Sequence, residues 1–261
     1  MCHQFPFGQP VHAVVQQDQS PKGLFVLGVY ASAVHARWHN AQGRLVVKAL
    51  AIASEPSIFW TGDNADMLVA KIHVPEGAGS LSPAHSRFNG PSGKILDDLF
   101  LRPLGFDRRT SWLCDLLPES RMNPIQAKAI DRAYRPCMAQ FNLPEPTVPA
   151  FRKAESNTDI RRDEILDELD RSGAQTVVVL GDVPIEQFIR PLASVRIRNL
   201  DHMKDLARGY GKPLELKLAG RPVQLIGLCH PRQAGRLGRN SKVWRGRHAT
   251  WIKSNNTVIG G

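Results

Sequence analysis

Short, nearly unbroken apolar runs alternate along the chain with longer segments whose apolar residues recur every three or four positions. Runs of the first kind lie at residues 24–28, 45–53, 111–117, 176–180 and 222–228 and predict strands. Their apolarity scarcely alternates, as expected of strands buried on both faces. Helical spacing marks residues 92–101, through Ile95, Leu96, Leu99 and Phe100, and residues 124–140, which open on Pro124. A charged amphipathic helix is predicted over 159–172, stopped by Gly173, with further helices from Pro184 and around 240–253. Residues 55–90 are rich in Gly, Pro, Ser and His and read as loop or insertion. Pro144, Pro146 and Pro149 make 142–158 an extended connection. No internal repeat is present. Strands alternating with helices predict an α/β fold, a three-layer α/β/α sandwich around a central, mostly parallel sheet. The chain is expected to be one domain over 1–261, with an insertion near 40–85 and a basic segment at 216–261. Ligands of such folds sit beyond the carboxyl ends of the strands. Three loops leave those ends with chemistry-bearing residues: Gly28-Val29-Tyr30, Cys114-Asp115 and Cys229-His230.

Charge changes this picture at one end only. Nine of the 34 Lys and Arg side chains, and none of the 24 acids, fall in the last 46 of the 261 residues. The rest of the chain is close to neutral. A strand that delivers His230 onto a basic loop can set a titratable group against a polyanion, and phosphates are the obvious one. A solvated basic tail is the plainer alternative. No apolar run approaches the roughly 18–20 residues of a membrane span, and the first residues lack the form of a signal peptide. A cytoplasmic protein with no membrane partner is expected. Cys2, Cys114, Cys137 and Cys229 are scattered without metal-ligand spacing, so reduced thiols, no metal and no cofactor are expected.

The strand ends, taken in order, resemble those of the uracil-DNA glycosylase superfamily. Phe88-Asn-Gly-Pro-Ser-Gly, then Leu104-Gly105, then Trp112-Leu-Cys-Asp-Leu-Leu are similar in order and spacing to its iron–sulfur branch. Tyr134-Arg-Pro, Val177-Val-Val-Leu-Gly181 and His230-Pro231 continue the resemblance, which covers about residues 22–255. It implies DNA repair by a monomeric enzyme acting on DNA that contains uracil or another deaminated base. The base is flipped out, stacked on an aromatic ring and read along its edge. The N-glycosidic bond then breaks, leaving an abasic site, with a hydrogen-bond donor preset where charge develops on the leaving base.

Residue by residue, the resemblance implies that His230 stabilises the leaving anion, that Phe88 stacks on the base and that Gly28 and Val29 line the base pocket. A solvated loop histidine and a core phenylalanine are the alternatives. Asp115 stands where the family has an edge-reading Asn. An ionised Asp offers only acceptors and repels a uracil carbonyl. It is therefore held protonated by burial, reads a different base, or pairs with a nearby Arg. Tyr30 occupies the position of the first-motif acid and cannot act as a carboxylate at pH 7. Ser32, His35, Glu55, Asp63 and Asn64 are candidates to replace it. Arg232, Arg236, Leu237 and Arg239 match the loop that enters the minor groove, with Leu237 as a wedge or as a residue packed inward. Lys242, Trp244, Arg245, Arg247 and Lys253 follow on the predicted helix. Glu119 and Tyr134 stand at two cluster-cysteine positions, so no iron–sulfur cluster is expected. A lapsed member that binds DNA without cleaving it is the competing reading.

Overall fold

A computed structural model describes residues 3–152, 155, 158–235 and 241–259, with side chains to residue 255. In chain order the elements are β1 (Leu24–Tyr30), β2 (Ala33–His39), β3 (Leu45–Ser54), α1 (Ala65–Ala70), β4 (Ser80–Pro83), α2 (Pro91–Leu96), β5 (Ser111–Leu117), α3 (Pro124–Ala129) and α4 (Arg135–Phe141). There follow α5 (Asp159–Ser172), β6 (Thr176–Leu180), α6 (Asp182–Pro184), α7 (Arg190–Leu192), α8 (Leu200–Leu206), β7 (Pro213–Leu218), β8 (Arg221–Leu228), α9 (Pro231–Ala234) and α10 (Ser241–Ile259). π-helical turns at Asp97–Leu101, Ile130–Tyr134 and Ile185–Ile189 extend α2, α3 and α6. The chain divides into two compact units. The first comprises Met1–Val14, Tyr30–Pro91 and Pro118–Phe151; the second comprises Val15–Val29, Ser92–Leu117 and Arg152–Gly261.

The second unit is built on a five-stranded sheet in the order β5-β1-β6-β8-β7. β6 lies parallel to both β1 and β8, while β7 runs antiparallel to β8. The fold is thus α/β with a mixed, mostly parallel sheet. Leu24 to Leu27 and Val177 to Leu180 are buried throughout, which accounts for their unbroken apolarity. β5, β6, β8 and α5 form where the apolar pattern places them. Thr158 caps α5 by accepting the Arg161 N–H, and Gly173 at φ +67° ends it. β7 escapes the pattern because it is an alternating edge strand, with Leu216 and Leu218 buried and Glu215 and Lys217 exposed. A two-residue turn joins it to β8, both Ala219 and Gly220 having positive φ.

The first unit holds an antiparallel sheet in the order β3-β2-β4. Residues 55–90, expected as loop or insertion, contain α1 and β4. Their Gly and Pro content marks the turns between these short elements. Nor do the apolar runs predict β2: His35 and Arg37 break its apolarity, yet Val34, Ala36 and Trp38 alternate inward. Around them Phe7, Leu50, Ile52, Trp60, Val69, Ile130 and Tyr134 form one apolar cluster. Phe7, Trp38 and Tyr134 meet with ring centroids 5.3 to 5.9 Å apart. Their polar atoms are satisfied: Trp38 Nε1 donates to the Ala78 carbonyl, and Tyr134 Oη accepts from Phe7 N and donates to the Pro144 carbonyl. Among the described residues no helix is long and apolar enough to cross a membrane.

Candidate functional site

β5 is buried along its whole length, so its one acid is buried with it: Asp115 is 4% exposed. Its carboxyl group accepts a hydrogen bond from the Val29 N–H at the end of β1, and its Oδ1 has no partner. Arg161, on α5, does not pair with that carboxyl. It donates instead to the backbone carbonyls of Asp115 and Leu116, at 2.7 and 2.9 Å, and bonds Glu164. Glu168 takes the Trp112 indole N–H at 2.9 Å. The reading in which Asp115 is merely the partner of an Arg is thereby corrected: the arginine grips the strand, not the side chain. Burial pushes the Asp115 carboxyl up to about 7, with Arg161 lowering it, Glu168 raising it and the Val29 N–H lowering it. A carboxyl raised this far can keep its proton at pH values where an ordinary Asp is ionised, and when protonated it donates as well as accepts.

β8 ends at Leu228, and Cys229 and His230 follow it. His230 caps α9: its Nδ1 accepts the Arg232 N–H at 3.2 Å, and its own N–H donates to Gln233 Oε1 at 3.1 Å. A backbone N–H can only donate, so Nδ1 carries no proton and the neutral ring keeps its proton on Nε2. Desolvation, helped by the Arg232 charge, lowers the imidazole to about 4. His230 is therefore neutral at physiological pH and offers a fixed Nε2–H donor. Beside it, a Cβ added to Gly181, which follows β6, would lie 3.6 Å from the His230 Cβ.

Four strand ends thus carry the arrangement. Val29 meets Asp115, His230 meets Gly181, and β1 and β6 are neighbours whose paired residues run to Leu27 and Val179. Asp115 and His230 stand on strands three places apart, a backbone separation of roughly 14 Å at the usual strand spacing. Gly28 and Val29 fall within that interval, on β1.

Tyr30, Ser32 and Phe88 belong to the first unit. The Tyr30 ring packs on Phe151 with centroids 5.4 Å apart. Ser32 is exposed; its N–H donates to Glu55 Oε1 at 3.0 Å, and its carbonyl accepts the Ser120 hydroxyl. Of the candidate acids, Glu55 is the one bonded to the Tyr30–Ser32 segment, and it is 2% exposed. Asp63 accepts the Thr61 hydroxyl, Asn64 starts α1 in a left-handed conformation, and the His35 N–H donates to Asn89 Oδ1. Phe88 is half-buried, with the Arg87 guanidinium 4.7 Å from its ring centroid. The loop carrying it is held by a close crossing: a Cβ on Gly90 would overlap the Thr61 carbonyl carbon, and one on Gly62 would overlap the Asn89 carbonyl oxygen. Only glycine fits at either position.

Of the basic residues, Arg232, Lys242, Arg245 and Lys253 are exposed. Arg247 is committed within its unit, bonded to Asp201 at 2.7 Å and lying over the Trp244 ring. Arg236, Leu237 and Arg239 lie outside the described residues. Glu119 pairs with Arg121, and Tyr134 is part of the aromatic cluster. Among the described residues no three His, Cys, Asp or Glu side chains gather as metal ligands. Cys114 and Cys229 are buried free thiols. Two residues not anticipated from the sequence, Tyr210 and His248, bond directly behind the His230 turn. The signal for His248 lies in α10, where it falls on the buried face between Trp244 and Trp251. No family model matches the chain, and no curated protein matches it.

Proposed function

We propose that the protein is a metal-independent DNA glycosylase that extrudes uracil or a related deaminated base and hydrolyses its N-glycosidic bond. The observation that carries this reading is His230, a neutral imidazole whose tautomer is fixed so that Nε2–H points away from its own cap. As the bond breaks, negative charge develops on the leaving base, and a preset neutral donor stabilises that charge. Asp115, with its buried and partly protonated carboxyl, fits the reading of a base edge that presents both a carbonyl and an N–H. A three-layer sandwich of the glycosylase type is the finer fold this reading entails. Exposed Arg232, Lys242 and Arg245 supply phosphate contacts. Phe88 as the stacking ring, and Arg236, Leu237 and Arg239 as the groove-entering loop, enter from the sequence resemblance alone.

The test is alkaline cleavage of a labelled oligonucleotide carrying one uracil, opposite G, opposite A and single-stranded. Strand scission is expected with the native protein. His230→Ala is expected to lose about a hundred- to a thousandfold in kcat, the usual cost of one preset donor, with its melting transition intact. A second reading is favoured by one observation: Tyr30, at the first-motif position, offers a ring packed on Phe151 and no carboxylate. In that reading the protein binds DNA without cleaving it, and the same oligonucleotides are retarded on a gel with no product.

A further inference from the structure

The turn that presents His230 is fixed at three successive backbone donors. Two are satisfied locally, by Gln233 and by His230 itself. The third, the Cys229 N–H, is satisfied from outside the turn by the Tyr210 hydroxyl at 2.9 Å. That hydroxyl lies 2.8 Å from His248 Nδ1, and His248 Nε2 lies 2.8 Å from the Leu99 carbonyl. A carbonyl only accepts, so the His248 proton sits on Nε2 and Nδ1 must accept. The Tyr210 O–H therefore donates to His248, which leaves the oxygen's lone pairs for the Cys229 N–H. Every donor and acceptor in this chain has one consistent direction, from the Cys229 backbone to the Leu99 carbonyl.

The chain is also rigidly packed. His248 is 1% exposed and is flanked by Phe100, with ring centroids 4.1 Å apart, and by Trp251 at 4.9 Å. The Tyr210 ring meets Trp244 at 5.9 Å. Burial lowers the His248 imidazole to about 4, against the opposing effect of the Leu99 carbonyl, so the ring is neutral in ordinary conditions and the direction of the chain holds. The hydrogen bonds Cys229–Tyr210 and Tyr210–His248 join α10, which carries exposed Lys242, Arg245 and Lys253, to the backbone one residue before His230.

We propose that Tyr210 and His248 are positioning residues for His230, linking the seating of the basic helix α10 to the orientation of the imidazole. Neither touches the reacting atoms. The role in catalysis rests on the glycosylase reading; the effect on the His230 ring does not.

The experiment uses the full chain and three variants: Tyr210→Phe, which removes only the hydroxyl, His248→Ala, and His248→Asn, whose amide oxygen can still accept from Tyr210. Long-range proton–nitrogen correlation spectra of the imidazoles report the tautomer of His230. A single Nε2–H form is expected in the native protein and in His248→Asn, and a mixture in Tyr210→Phe and His248→Ala. With the uracil oligonucleotide, kcat is expected to fall about ten- to a hundredfold in those two variants, as for a displaced catalytic group, with KM unchanged and with recovery in His248→Asn. A merely structural pair would lower Tm in all three while leaving kcat per folded molecule and the His230 spectrum as in the native protein, and that result overturns the proposal. Should the native protein cleave no uracil substrate, the glycosylase reading fails by itself; an unchanged His230 spectrum in Tyr210→Phe still overturns the positioning role, and a changed one sustains it. If Tyr210→Phe does not fold, His248→Ala decides the matter: a mixed His230 tautomer sustains the proposal and a native one overturns it.

Discussion

The aromatic cluster of the first unit and strand β5 of the second bury polar groups differently. In the first, the polar atoms of the aromatic cluster are satisfied: the Trp38 indole, the Phe7 N–H and the Tyr134 hydroxyl each have a near-ideal partner. In the second, Asp115 is 4% exposed with one carboxyl oxygen unpartnered, and burial displaces its carboxyl and the His230 imidazole in opposite directions, to about 7 and about 4. A buried polar group without a partner costs on the order of 1–3 kcal/mol. A fold tolerates that cost where the group serves a ligand, so the proposed chemistry is expected at Asp115 and His230, and the aromatic cluster is expected to serve stability.

The contrast breaks most visibly at Trp38. Replacing this 1%-exposed side chain by Ala removes a large part of the first unit's core and strips the Ala78 carbonyl of its donor. Loss of about 3–5 kcal/mol is expected, read as a lowered denaturation midpoint. Uracil excision per folded molecule should be unchanged. A fall in kcat matching the fall in stability would erase the distinction between the units.

Asp115 sharpens the contrast through pH. Its folded-state pKa is raised above the unfolded value, so the folded state holds a proton that the unfolded chain has already lost between about pH 4 and 7. Stability contributed by this group therefore declines as pH rises through that window, by up to about 4 kcal/mol for a shift of about three units. Asp115→Asn cannot ionise and should be more stable than the native protein at pH 8, with little difference at pH 4. Under the proposed function its activity should extend to higher pH, whereas the native protein is expected to lose activity above about 7 as the carboxyl ionises. His230 is expected to set the acid limit, because burial lowers its imidazole to about 4 and protonation below that removes the neutral donor. An Asp115→Asn profile superimposable on the native one, in both stability and rate, would remove the protonated-carboxyl reading.

Much of the second unit is legible in the sequence because parallel strands buried on both faces leave unbroken apolar runs, as at Leu24 to Leu27 and Val177 to Leu180. The first unit is less legible. Its strands alternate, and in β2 the inward residues Val34, Ala36 and Trp38 are interleaved with His and Arg, so composition hides what a period of two reveals. At the candidate site, the position of His230 just after a strand follows from the pattern, whereas Asp115, expected in a loop at a strand end, lies inside β5 two residues before its end. The state of Asp115 does not follow from the pattern either, because it depends on how completely the fold buries the carboxyl and on Arg161, 46 residues away, reaching the backbone instead. The Tyr210–His248 pair is invisible for the same reason: a hydrogen bond across 38 residues has no local signature, and only the apolar spacing of Trp244, His248 and Trp251 hints that the histidine faces inward.

The smallest effect expected is on α10, whose two faces repeat the contrast within one element. Trp244, His248 and Trp251 are buried, while Lys242, Arg245 and Lys253 are exposed. Exposed cations contribute little to stability, so Lys242→Ala and Arg245→Ala together should leave the melting transition within a degree or two. If DNA is the partner, as proposed, the same two charges act by releasing counterions, and removing one phosphate-binding cation should reduce the slope of log affinity against log salt by about 0.9. The double variant is thus expected to bind DNA more weakly at low salt and to lose about two from that slope, equally for uracil-containing and ordinary duplexes, because phosphate contacts carry no base information. Arg247 is the internal control: bonded to Asp201 and lying over Trp244, its replacement by Ala should lower stability slightly and leave the salt slope alone. A double variant with the native slope would place the polyanion elsewhere and reduce the C-terminal charge to a solvated face.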